Sequence, residues 1–163
     1  AAFALRGGEM HFLDEFQGHP DTESLAKSLA NRYKGHRIYA YPDPSGNSRK
    51  TSAPVGQTDF SILRHHGLNV CARRAAPSIK DSVAAVNRKL LTAAGGTSLY
   101  VSNNCPLLTR SLERTVWVGG NSSNAVIDKS AGVEHHSDGV RYAAEYLFPV
   151  VAGQATTVRG FNF

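Results

Sequence analysis

Alternation along the chain constrains the fold most. From residue 21 onward, helix-period segments and short extended runs take turns. "DTESLAKSLANRY" sets Leu25, Leu29 and Tyr33 on one stripe behind a cap at Asp21 or Thr22, and "IYAY" follows. "TDFSILRHHG" is bounded by Thr58 and Gly67, and "LNVCAR" follows. "SIKDSVAAVNRKLL" places Ile79, Val83, Val86 and Leu90 on one face, and "SLYVSN" follows. "CPLLTRSLERTVW", with Pro106 in its first turn, and "EHHSDGVRYAAEYLF", with Val140, Ala144 and Leu147 on its buried side, complete the series. Strands separated by helices pair in parallel, because a parallel neighbour needs a crossover. The expected fold is therefore α/β, a largely parallel sheet covered by helices on both faces. Upstream, "AAFAL" and "EMHFLDEF" joined through Gly7-Gly8 read as an antiparallel hairpin, which makes the sheet mixed. Residues 47–57 and 118–132 have no period and are expected to be surface loops, the second with an extended piece at 125–127.

Totals narrow the class only in part. At 163 residues the chain suits one domain, 1–163, able to bury its own core. No apolar run is long enough to span a bilayer, so no membrane partner is expected. Cys71 and Cys105 lie far apart without a Cys-x-x-Cys pair, which favours reduced cytosolic thiols over a zinc site. The net charge of +5 and pI near 9.4 permit a polyanionic partner without requiring one.

Two acidic features stand out. In "IYAYPDPSGNSRK" a strand breaks off into a proline- and glycine-bounded turn with Asp43 at its tip. Functional groups in α/β sheets gather at the carboxyl ends of strands. In "VEHHSDGVRY" Glu134 and Asp138 lie one helical turn apart, and His135 shares a side with Asp138. Carboxylates from separate elements are what two-metal phosphodiester hydrolysis uses. Two divalent ions about 4 Å apart activate a water and steady the leaving oxygen, and Mg²⁺ or Mn²⁺ suits such hard oxygen ligands. Each aspartate also has a plain structural use, in a turn or beside a helix dipole.

With these residues in place, the sequence resembles the nuclease domain of the large terminase subunit of tailed bacteriophages. The matching segments are "HFLDEF", "YAYPDPSGNSRKTSA", "TDFSIL", "PSIKDSVAAVNRKLL", "LYVSNNCPLLTRSLE" and "DKSAGVEHHSDGVRYAAEYLFP", which cover nearly the whole chain in order. The resemblance implies an RNase H-like (resolvase-like) fold and a metal-dependent endonuclease that cuts double-stranded viral DNA during genome packaging. It implies Asp43 and Asp138 as catalytic ligands of two Mg²⁺ or Mn²⁺ ions, with His135 and Asp128 as further candidates. Arg49, Lys50, Arg73 and Lys129 are candidate DNA contacts, as is Arg74. Implied partners are the ATPase domain of the same motor, the portal and the small terminase subunit, in the host cytoplasm. In that family a first Asp sits on a strand before the hairpin; here no acidic residue precedes Glu9, so that strand is expected upstream of Ala1. Glu15 is expected to be structural, Asp81 to face solvent, and Trp117, Tyr39 and Tyr41 to lie in the core. Two rival readings are a non-catalytic DNA-binding or portal-docking module and a related resolvase or RNase H acting on another nucleic acid.

Overall fold

The computed structural model describes residues 1–48, 57–118 and 126–150. The chain is α/β, with a mixed sheet and helices around it, and it divides into two compact units. One comprises Ala1–Glu15 with Ser78–Phe163, the other Phe16–Pro77.

In the first unit, β1 (Ala2–Arg6) and β2 (Glu9–Asp14) form the expected antiparallel hairpin, turned by Gly7 and Gly8 at positive φ. The first unit takes up the chain again downstream with α3 (Ile79–Leu90), β5 (Leu99–Val101), α4 (Pro106–Arg114), β6 (Trp117–Val118), β7 (Val126–Ile127) and α5 (His135–Leu147). β5 pairs in parallel with β2, giving the order β1-β2-β5. Period-two alternation sends Met10 and Phe12 into the core, where Leu99, Leu108, Val140 and Ala144 are also buried. Lys89 donates from Nζ to the Gly8 carbonyl (2.8 Å) and lies over the Phe148 ring, so it ties the hairpin turn to α3. Burial holds its ammonium below the usual lysine range.

In the second unit, α1 (Thr22–Arg32) is capped by Asp21, whose carboxylate accepts the Ser24 N–H at 2.7 Å. β3 (Tyr39–Ala40) and β4 (Asn69–Val70) pair in parallel. α2 (Asp59–His65) begins at a reciprocal capping box between Thr58 and Ser61. It stops at Gly67, whose φ of +81° suits glycine. Ala26, Leu63 and Leu68 form the core of this unit, with Leu29, Ile38 and Val70 packed around them.

Four expectations change. Among the described residues the strands form three small sheets, with β6 and β7 a separate antiparallel pair. The helix expected to run to Trp117 ends at Arg114, because Thr115-Val116-Trp117-Val118 is a β-branched and aromatic run with a partner strand available. The buried face of α3 is Ser82, Ala85 and Val86, while Leu90 is 41% exposed. Val86 of the expected stripe is buried, and Ser82 and Lys89 of this helix hydrogen-bond to Arg141 and to the Gly8 carbonyl. Trp117 and Tyr39, expected in the core, are 39% and 42% exposed, and Tyr41 is half-buried. Of the loops expected at 47–57 and 118–132, residues 49–56 and 119–125 lie outside the described residues, and Val126–Ile127 of the extended piece expected at 125–127 form β7.

Candidate functional site

Asp43 answers first to its own turn. Pro42 and Pro44 bring the chain out of β3 and into a 3₁₀ turn over Pro44–Asn47, with Asp43 as its cap. The exposed carboxylate accepts the Ser45 N–H at Oδ1 (2.8 Å), and the Asp43 carbonyl accepts the Gly46 N–H (3.0 Å). Gly46 lies close to Phe60 of α2: a Cβ there would come to 3.2 Å from the ring, a tight contact that the Phe60 side chain would have to yield to by a few tenths of an ångström. β3 and β4 run parallel with Ala40 opposite Val70, so Asp43 and Arg73 each stand three residues beyond the same sheet edge. Arg73 and Arg74 are exposed. A carboxylate and two cations thus leave one carboxyl edge, where α/β sheets place their sites. Arg49 and Lys50 lie outside the described residues.

Asp138 belongs to the first unit and has different surroundings. It sits in the first turn of α5 with 18% of its side chain exposed. Its Oδ1 accepts two N–H groups of Arg141, from Nε at 3.0 Å and Nη2 at 2.7 Å. Arg141 is buried, and its Nη1 donates to the hydroxyl of fully buried Ser82 on α3 (2.7 Å). Ser82 passes the chain on by donating to the Ile79 carbonyl (2.9 Å). A guanidinium is costly to bury unless its charge and donors are matched, and here a carboxylate and a hydroxyl match them. The other oxygen, Oδ2, stands 3.8 Å from the Lys129 ammonium.

The neighbouring candidates separate clearly. Asp128 folds back on its own loop, accepting the Ser130 N–H at 2.8 Å, and that bond holds its carboxyl below the ordinary aspartate range. Its backbone N–H donates to the Val116 carbonyl, which registers β7 beside β6. His135 is exposed, with Nδ1 3.9 Å from Glu134 Oε1. His136 is half-buried, its Nε2 has no hydrogen-bond partner among the described residues, and burial lowers its pKa. Glu134 is 3% exposed, and its Oε2 also lacks a hydrogen-bond partner among the described residues. Asp81 is exposed as expected and exchanges hydrogen bonds with Ser78 at the start of α3.

Glu15, expected to be structural, caps α4. At the start of α4 the Cys105 N–H donates to Ser102 O, Pro106 has no N–H, and Leu107 and Leu108 donate to Glu15 Oε1 and Oε2 at 3.0 and 2.9 Å. Every orphan donor of that helix end is satisfied. α5 has no side-chain cap of its own; the Ser137 N–H donates instead to Ser111 of α4 (2.9 Å).

The donor chemistry suits a divalent ion in part. Asp138 Oδ2 and Glu134 Oε2 are carboxylate oxygens outside strong hydrogen bonds, and oxygen of that kind is what Mg²⁺ and Mn²⁺ take. Among the described residues, no three His, Cys, Asp or Glu side chains are grouped so as to hold an ion. Arg141 and Ser82 escaped the sequence reading. The signal for Arg141 was its place three residues after Asp138 on a helix, and for Ser82 its polarity on the inner face of α3. Set against family models, curated proteins and solved structures, the chain matches none.

Proposed function

We propose that the chain is the nuclease domain of a phage terminase large subunit, a divalent-metal-dependent endonuclease acting on double-stranded DNA during genome packaging. The observation that carries this reading is the ordered pair of acidic motifs, "YPDPSG" and "DK…EHHSDGVRY", within an α/β frame. Asp43 leaves a parallel strand at its carboxyl end, and Asp138 opens the last helix. Asp43 and Asp138 would each offer a carboxylate oxygen to an ion, and Arg73 and Lys129 would engage phosphate. When bound, the ions supply Lewis acidity at the phosphorus and a water of lowered pKa. The expected outcome is nicking of supercoiled plasmid in Mn²⁺ by the purified protein. Asp43→Asn and Asp138→Asn each abolish the nicking while the fold, followed by circular dichroism, persists. Unaltered cleavage by both variants rejects the assignment.

A second reading has one specific observation in its favour. The Asp138 carboxylate is already matched by a buried guanidinium, as in a purely structural ion pair. On that reading the domain binds DNA or docks on the portal without cutting. Asp138-dependent binding of Mn²⁺, measured by calorimetry, separates the two.

A further inference from the structure

We propose that the amino edge of the β3–β4 pair, carrying Arg32, Lys34, His36, Arg37, Tyr39 and Arg64, binds single-stranded nucleic acid, with cations on the phosphates and rings on the bases. The proposal does not rest on the nuclease reading, which uses other residues. Charge is divided unevenly between the two units. Residues 16–77 hold nine Lys and Arg against four Asp and Glu, and the remainder holds nine against nine, so the net charge of +5 belongs wholly to the second unit. An asymmetry of this kind suits a polyanionic partner. The four acids are occupied at other places. Asp21 caps α1, Asp43 caps its turn, Asp59 accepts the Thr22 hydroxyl at 2.8 Å, and Glu23 pairs with Lys27 at 2.8 Å and stands 3.8 Å from His66. Residues 24–42 and 60–77 contain no Asp or Glu. Within them, α1 ends at Arg32 and leads through Lys34, His36 and Arg37 into β3, while α2 leads from Arg64 into β4. The strands are joined where they begin, the Asn69 N–H donating to the Ile38 carbonyl at 2.9 Å, so both basic segments enter one edge, opposite the end that leads to Asp43. Cations in the last turn of a helix complement its dipole, which accounts for Arg32 and Arg64. It does not account for Lys34 and Arg37, which lie past the helix and are exposed. Exposed rings stand among them, His36 and, at 42%, Tyr39. An acidic polypeptide needs the cations alone. Cations alternating with flat rings suit a strand whose bases are unstacked; in a duplex those base faces are already covered.

The test is fluorescence anisotropy of a labelled oligothymidylate with the whole chain, in EDTA, at several salt concentrations. The protein should bind it more tightly than a duplex of the same length. Lys34→Gln with Arg37→Gln should weaken binding and lower the slope of log affinity against log salt by about 1.4, the value of two single-strand phosphate contacts. Tyr39→Val, which keeps a strand-favouring residue, should weaken binding about fivefold or more at an unchanged slope, the effect of one lost stacking partner. Lys34 and Arg37 lie outside helices and strands, and Tyr39→Val serves if the double variant fails to fold. Arg88→Gln with Arg110→Gln, at exposed positions of the first unit, should change neither affinity nor slope. The proposal is overturned if the wild type does not bind, or if the second-unit pair keeps wild-type affinity and slope. Equal weakening by the first-unit pair also overturns it, because binding would then follow net charge without a place. Duplex bound as tightly as the single strand, with Tyr39→Val silent, reduces the edge to a backbone contact and overturns it too. Polyglutamate competing as well as unlabelled oligothymidylate overturns it in favour of an acidic protein partner.

Discussion

The end of β3 and the start of α5 both present an aspartate, and the two have different work to do. Asp43 is exposed and closes a 3₁₀ turn by accepting a backbone N–H. Asp138 is four-fifths buried and compensates a buried guanidinium. The first environment gives the turn its shape; the second keeps a charge inside the protein. The same substitution therefore examines chemistry at position 43 and examines folding as well as chemistry at position 138.

Position 138 should show the largest effect. Asp138→Ala leaves Arg141 buried without its counter-charge, and removing one partner of a buried pair costs about 3–5 kcal/mol. The expected result is a large drop in the urea midpoint, with Asp138→Asn, which keeps an acceptor oxygen for Arg141, falling less. A wild-type midpoint for Asp138→Ala means that Arg141 finds water or another acceptor, and the contrast with Asp43 disappears. Glu15 lies between the two extremes: it serves backbone donors as Asp43 does, but two of them, at a partly buried helix end. Glu15→Ala should cost about 1–2 kcal/mol, the upper part of the range for lost caps. A smaller loss would show that water serves Leu107 and Leu108 equally well.

What the sequence disclosed follows the same division. Thr58, Gly67 and Pro106 were legible as helix boundaries because caps and breakers act on neighbours a few residues away. Asp43 as a turn former was legible for the same reason. The end of α4, the inner face of α3 and the anchoring of Asp138 were not. Each depends on a partner distant in sequence: Trp117 on Ile127, and Arg141 on Ser82 across 59 positions. Glu15 reaches Leu108 across 93. A hydrophobic stripe predicts which face of a helix is apolar; it does not register that a buried arginine from another helix will hydrogen-bond to a serine on the inner face.

The smallest stability effect belongs to Asp43, and it gives the comparison its sharpest edge. Asp43→Ala removes the side-chain acceptor for the Ser45 N–H, but the turn keeps its prolines and its Gly46 N–H bond to the Asp43 carbonyl. An exposed N–H that loses its acceptor turns to water, so the cost should be about 0.5–1 kcal/mol, the lower part of the capping range. Nicking of plasmid, by contrast, should vanish. A variant that keeps its urea midpoint within that margin and loses cleavage places the function of Asp43 in chemistry, free of the folding term that burdens Asp138. A loss well above about 2 kcal/mol would mean that the carboxylate supports more of the second unit than its turn. Position 43 would then be the more structural of the two acids, and the contrast drawn here would be reversed.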